Sequence, residues 1–186
     1  MNFNQYERDL KSFLQDSDGK AYRGVYVISR DKNATSWKLG MAWGRGGIYN
    51  RLKGYKLCFP YDGEYYLHWL VLCGTIADTK VLEKSILNHQ HIRNKSVAWE
   101  HAPQARLSKE VKVLGSRDVL MNAFIDVLDK NRNNWIATVC FSDNNWKLCT
   151  FERRIEKGCF MKPSNTRSLR PTIESAFTDY KKKERL

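Results

Sequence analysis

Apolar residues along this chain recur with two periods, and those periods sort it into strands and helices. Over 22–29 and again over 36–42 they alternate with a period of two, as in strands with one covered face. Val25 and Val27 share a face of the first run, and Leu39 and Met41 share a face of the second. The polar stretch 30–35 joins the two runs as a hairpin loop. Tyr26 and Lys38 stand on the opposite faces, so the alternation predicts that both emerge on one exposed side. Neighbours on one face of a strand pair lie about 5 Å apart when opposed and about 7–8 Å apart on the diagonal. Contact between Tyr26 and Lys38 therefore depends on the register, which alternation does not supply.

Beyond the hairpin the period changes. The glycine-rich stretch Gly44-Arg45-Gly46-Gly47 precedes Ile48, Leu52 and Tyr55, spaced i, i+4, i+7, which predicts a helix over 48–57 with Arg51 beside the apolar stripe. A strand follows over 65–73. A helix over 79–91 takes Asp78 as its N-cap. Leu82, Ile86 and His89 line one face of it, with Glu83 on the border. Residues 92–115 show no sustained period and read as loop with a short strand near 111–114. Leu120, Phe124, Val127 and Leu128 predict a helix over 117–130. Two strand runs, 135–141 and 146–151, flank the turn Ser142-Asp143-Asn144-Asn145 as a hairpin. At the N-terminal end, Tyr6, Leu10, Phe13 and Leu14 mark an amphipathic helix over 4–15, followed by a turn at 16–19. From 152 onward the chain reads as a basic, irregular arm with one helix around 172–183.

These elements predict an α+β fold: a small three-stranded antiparallel sheet flanked by helices over 20–95. An N-terminal helix (1–19) precedes it, and a basic extension (96–186) with a helix and a β-hairpin follows.

Composition narrows the partner more than the fold. The 186 residues are 42% hydrophobic, which is ordinary for a globular chain. The formal net charge is +12 and the isoelectric point is near 9.5. So basic a chain points to a polyanionic partner, nucleic acid before an acidic membrane surface. The longest apolar run, from Trp69 to Cys73, is far short of the roughly 20 residues that span a bilayer. The first ten residues hold no basic segment followed by an apolar one, so no secretory signal is expected. Cys58, Cys73, Cys140, Cys149 and Cys159 are odd in number and form no C-x-x-C pair. Reduced thiols in an intracellular setting, cytoplasmic or nuclear, follow more simply than a disulfide framework or a zinc ribbon.

The chemistry-bearing residues lie in a particular order. Gly24-Val25-Tyr26 on the first strand forms one half of a motif, and Lys38-Leu39-Gly40 on the second strand forms the other. Asn50-Arg51-Leu52, with Tyr55 a turn later, lies on the first helix, and Val81-Leu82-Glu83-Lys84 lies on the next. This arrangement over about residues 20–95 resembles the GIY-YIG nuclease superfamily. The literal string Gly47-Ile48-Tyr49 opens a helix and has no second half at strand distance, so the degenerate copy at 24–26 fits the architecture better. The second half of the motif usually begins with tyrosine, where this chain has Lys38, as in certain restriction-type and phage-type branches.

The resemblance implies a Mg²⁺- or Mn²⁺-dependent endonuclease on DNA, of restriction type or from a virus or mobile element. Tyr26, Lys38, Arg51, Tyr55 and Glu83 would be its catalytic residues and Glu83 its metal ligand. It also implies an asparagine after the glutamate, for which Asn94 is the candidate and Asn88 the rival. One active site cuts one strand per visit, so double-strand cleavage would need a homodimer or sequential nicking. Lys38 in place of tyrosine keeps open an alternative, a non-cleaving nucleic-acid-binding protein on the same scaffold.

Physical chemistry gives these residues workable roles. An unperturbed tyrosine has a pKa near 10, and a nearby ammonium favours its phenolate, so Lys38 is a reasonable activator of Tyr26 as a base. Arg51 offers a planar, permanently charged fork for phosphate. Glu83 supplies one hard oxygen ligand, which suffices for Mg²⁺ when water and phosphate complete the shell. His68 shares a strand with Tyr66 and could touch phosphate, though a satisfied strand histidine is the plainer reading. His89-x-His91, with His101 beyond, lacks a cysteine partner and a shared helical face, so it reads as surface histidines. Gly44–Gly47 lacks the Gly-Lys-Ser/Thr ending of a phosphate loop and reads as a turn that can approach a DNA backbone.

Overall fold

The computed structural model describes residues 7–8, 11, 14, 21–30, 35–44, 46–55, 65–97, 108–113, 116–142, 145–150 and 159–161. Its elements in chain order are β1 (Arg23–Ser29), β2 (Ser36–Ala42), α1 (Gly47–Tyr55), β3 (Tyr66–Cys73) and α2 (Ile76–Leu87). After these come β4 (Ser96–Val97), β5 (Ser108–Val113), α3 (Arg117–Lys130), a 3-10 turn (Arg132–Asn134), β6 (Ala137–Ser142), β7 (Asn145–Thr150) and β8 (Cys159–Met161). The fold is α+β. Of the N-terminal helix expected over 4–15, Glu7, Arg8 and Lys11 are helical and Leu14 is a buried turn residue; its other residues, and the helix expected over 172–183, lie outside the described residues.

The predicted three-stranded sheet is present as β2-β1-β3, but it is the middle of a longer one. Together with β6 these strands form a four-stranded antiparallel centre, and the full order is β4-β5-β2-β1-β3-β6-β7-β8. The expected C-terminal hairpin is β6–β7, and β6 pairs with β3 from Trp69↔Cys140 to Leu72↔Ala137. The basic arm is not wholly irregular, since β8 pairs with β7.

Two apolar layers sandwich the sheet, and this corrects the prediction that Tyr26 would be exposed. On one face, Tyr26, Ile28, Leu70 and Leu72 pack with Ile48, Tyr49, Leu52 and Tyr55 of α1. On the other, Val25, Val27, Leu39, Trp69 and Val71 pack with Leu82 and Ile86 of α2 and with Leu120, Phe124 and Leu128 of α3. Trp69 stacks on Phe124 with ring centroids 4.7 Å apart, and its indole N–H donates to Thr138, which ties β3 to α3 and β6. β1 is buried from Gly24 to Ser29, the pattern of a strand covered on both sides.

Helix α2 begins three residues earlier than predicted. Its N-cap is Thr75, whose hydroxyl accepts from the Asp78 backbone N–H at 3.1 Å and donates to the Asp78 carboxylate at 2.6 Å. Asp78 is thus the third residue of the first turn, reciprocating the cap. Its second oxygen accepts from Asn134 at 2.6 Å and so anchors α2 to the 3-10 turn. Among the described residues no helix is long and apolar enough to cross a membrane.

Candidate active site

β2 is covered unevenly. Its β5 partner spans Ser36–Lys38, and among the described residues no strand pairs with Leu39–Ala42 on that side. Side chains from the two layers can therefore meet around this edge. A cavity of ≈ 500 Å³ lies there, lined by Tyr26, Met41, Ala42, Trp43, Gly44, Gly46, Gly47, Asn50, Arg51 and Glu83. It brings together a tyrosine of β1, an arginine of α1 and a glutamate of α2. Those elements pack on different faces of the sheet.

Local backbone chemistry makes this possible at two glycines. Gly40 is the register partner of Tyr26. A Cβ on Gly40 would stand 2.6 Å from Cζ and 3.0 Å from Cε2 of Tyr26, and closer still to its hydroxyl, so the tyrosine ring lies where a side chain would be. Gly47 opens α1 with φ of 53°, a conformation that costs glycine little. A Cβ there would meet the Tyr22 carbonyl oxygen and, at 2.7 Å, Ala21. The turn that carries Asn50 and Arg51 to the cavity is thereby held against the start of β1.

Tyr26 is only 1% exposed, yet its phenol is at the cavity wall. The Tyr26 and Tyr55 hydroxyls share a hydrogen bond at 2.7 Å, in which either can donate, and their rings meet edge to face. Arg51 Nε donates to the Tyr26 oxygen at 3.3 Å, and its guanidinium lies over the Tyr55 ring, 5.3 Å from the centroid. The hydrogen bond to Tyr26 and the field of Tyr55 raise the Arg51 pKa further, with burial opposing them, so this cation is permanent. Tyr55 leans on Tyr65 at 6.2 Å between centroids. Burial first, then the neighbouring phenols, pushes the Tyr65 pKa up, and its hydroxyl donates to the Leu52 carbonyl at 2.6 Å. Tyr65 thus stays a neutral phenol that braces α1.

The register answers what alternation left open. Lys38 pairs with Ile28, so it is a diagonal neighbour of Tyr26 across β1 and β2. Its ammonium lies 6.0 Å from the Tyr55 ring centroid. Arg51 is a cation bonded directly to the Tyr26 oxygen. Five sequence candidates, Tyr26, Lys38, Arg51, Tyr55 and Glu83, therefore gather in or against one cavity.

The remaining candidates stand elsewhere. His68 is 5% exposed, with Nε2 sharing a 2.5 Å hydrogen bond with Ser29 Oγ, and is not among the lining residues. It sits at the bulge where the β1–β3 register shifts, between Leu67↔Ile28 and Trp69↔Val27, and its bond is to Ser29, the register partner of Tyr66. Asn94 is exposed in the turns after α2, and Asn88 is the C-cap of α2; neither lines the cavity. His89 shares a 3.0 Å hydrogen bond with Asp126 of α3, and His101 lies outside the described residues.

Two lining residues escaped the sequence reading, Asn50 and Trp43. Asn50 immediately precedes Arg51, so its proximity was available. Trp43 stood out as a tryptophan outside any apolar period, beside a glycine-rich turn.

Among the described residues no three His, Cys, Asp or Glu side chains cluster as a metal site. Glu83, half-buried, is the carboxylate lining the cavity. One hard oxygen donor in a cavity with room for several waters fits Mg²⁺ or Mn²⁺, which keep much of their hydration, and does not fit a closed zinc centre. The Cys73 thiol is buried and its pKa is pushed up to about 12, so it is no soft ligand or nucleophile at neutral pH. Comparisons with protein-family models, curated proteins and solved structures find no match to this chain.

Proposed function

We propose that this protein is a metal-dependent endonuclease that hydrolyses DNA phosphodiester bonds with the chemistry its resemblance to the GIY-YIG superfamily implies. One observation carries the reading: Tyr26, Arg51 and Glu83, picked out by order along the chain, line a single cavity from separate elements. The net charge of +12 supplies the attraction to a polyanion.

The chain's own residues divide the work. Tyr26 takes a proton from the attacking water, whose oxygen forms the new bond to phosphorus as the bond to the leaving oxygen breaks. Holding Tyr26 as phenolate requires donors at its oxygen, and Tyr55 O–H and Arg51 Nε–H are in place. The interaction that raises the Arg51 pKa favours, reciprocally, the phenolate of Tyr26. Burial of the ring acts the other way, and the two donors, one of them the Arg51 cation, oppose it. Arg51, lining the cavity, also neutralises charge growing on the phosphoryl oxygens. Lys38 adds a second positive charge beside the phenol pair. Glu83 would hold the metal ion, which when bound supplies charge stabilisation at the phosphate.

Incubating supercoiled plasmid with the purified protein tests this. Nicked or linear product in Mg²⁺ or Mn²⁺, and none in EDTA, is expected. Failure to cut either the plasmid or a single-stranded DNA, in either metal across neutral and alkaline pH, defeats the reading.

A further inference from the structure

Trp43 follows β2 directly, lines the cavity with Arg51 and Glu83, and is 47% exposed. The sandwich core buries Trp37, Trp69 and Trp135, whereas the Trp43 ring is open beside the cavity. Its surroundings are cationic. Lys80 Nζ lies 5.9 Å from the Trp43 ring centroid, so one side of the indole carries an ammonium. Lys80 and Lys84 are exposed on α2, four residues apart on one stripe, with Glu83 at their border. Arg51 lines the same cavity. Cations along a groove with an aromatic plane between them are the elements that bind unpaired nucleic acid. The cations follow phosphates, and the ring stacks on a base.

The size of the cavity limits the occupant. At ≈ 500 Å³ it falls in the range of small-ligand pockets, enough for about one nucleotide and far too small for a duplex. Inside a duplex each base is covered by its neighbours, so an indole reaches a base face only where a nucleotide is unstacked.

We infer that Trp43 stacks on an unpaired nucleobase next to the scissile phosphate, so the substrate is DNA that presents an unpaired nucleotide at the cut, single-stranded or bulged, rather than uninterrupted duplex. This rests on the nuclease reading above and names its substrate class. Lys80 steadies the far side of the indole and pairs with a neighbouring phosphate.

The test uses the full chain carrying Glu83→Gln, so that binding is read without turnover, and oligonucleotides with one 2-aminopurine. The probe is placed in a single strand, in a one-nucleotide bulge, or in a perfect duplex. Stacking on indole quenches its fluorescence. Quenching is expected in the first two and not in the third. Adding Trp43→Ala should remove the quenching and weaken binding of the first two by about 5- to 150-fold, the range for one stacked base. Duplex affinity should be unchanged, and Trp43→Phe should retain most of both signals. Equal losses on all three DNAs, or undiminished quenching in Trp43→Ala, would overturn the inference. An active wild type with no strand preference sinks stacking and leaves the nuclease reading; Trp43-dependent quenching by a protein that never cuts sinks the nuclease reading and leaves stacking. Failure to bind any of the three DNAs overturns both.

Discussion

Gly40→Ala is a methyl-sized change whose consequence can be worked from the geometry. The new Cβ would lie 2.6 Å from Tyr26 Cζ, where ordinary contact begins near 3.4 Å. The ring must therefore retreat by about 1 Å to restore a comfortable carbon–carbon separation. It has little room, being 1% exposed and held at its hydroxyl by Tyr55 and Arg51. Forcing extra volume into such packing costs about 1–3 kcal/mol. Displacing a reacting atom by about 1 Å can cost roughly a hundredfold in rate. Denaturant unfolding should show the first loss and plasmid nicking the second.

A double-mutant cycle sharpens the argument. Tyr26→Leu removes the atoms that Gly40 Cβ would strike. In that background Gly40→Ala should be neutral or stabilising by about 0.5–1 kcal/mol, the usual backbone gain over glycine in a strand. The sign of the effect thus reverses with the partner. Equal destabilisation in both backgrounds, or wild-type turnover in Gly40→Ala alone, would refute the placement of the Tyr26 ring over Gly40.

Other residues of the site carry their own expectations. Arg51→Lys keeps the charge and loses the planar fork that bonds Tyr26, so turnover at saturating DNA should fall at least about a hundredfold; a near-normal rate would make Arg51 a surface charge. Tyr26→Phe should stop cleavage at every pH and leave folding intact. Lys38→Met should lower the rate at pH 7 and regain part of it toward pH about 9–10, because the phenolate fraction rises as pH approaches a tyrosine's ordinary pKa near 10. A pH-independent loss seen as weaker binding would make Lys38 a phosphate contact instead.

How far the sequence disclosed the site depends on the element. Arg51 and Glu83 were legible because helical periodicity fixes which side chains border an apolar stripe, and both borders open on the cavity. Tyr26 was placed on the right face but expected in solvent. Alternation describes a half-covered strand, whereas the continuous apolar run Val25-Tyr26-Val27-Ile28 was the signal of cover on both faces. Of β5 only the end was legible, as a short strand near 111–114; its lysines hid the rest. Lys112 reads as a solvent residue, yet it is 2% exposed, with its ammonium donating to the Arg93 carbonyl at 3.2 Å and its pKa lowered by burial. The start of α2 was misjudged because Thr75 and Asp78 are both good caps, and only the reciprocal bonds show which one ends the strand connection. Strict alternation along β3 fails at the bulge opposite Val27 and Ile28, where Leu67 and Leu70 pack in one layer.

Glu83→Gln addresses the central claim most directly. The exchange keeps the side chain's size and removes the one carboxylate charge among the described residues that line the cavity, leaving the basic surface untouched. Supercoiled plasmid and Mg²⁺ are mixed with wild type or mutant, and DNA binding is followed in parallel by electrophoretic shift. The account predicts that the wild type nicks, that the mutant does not, and that both bind DNA with similar affinity. Robust cleavage by Glu83→Gln would contradict it.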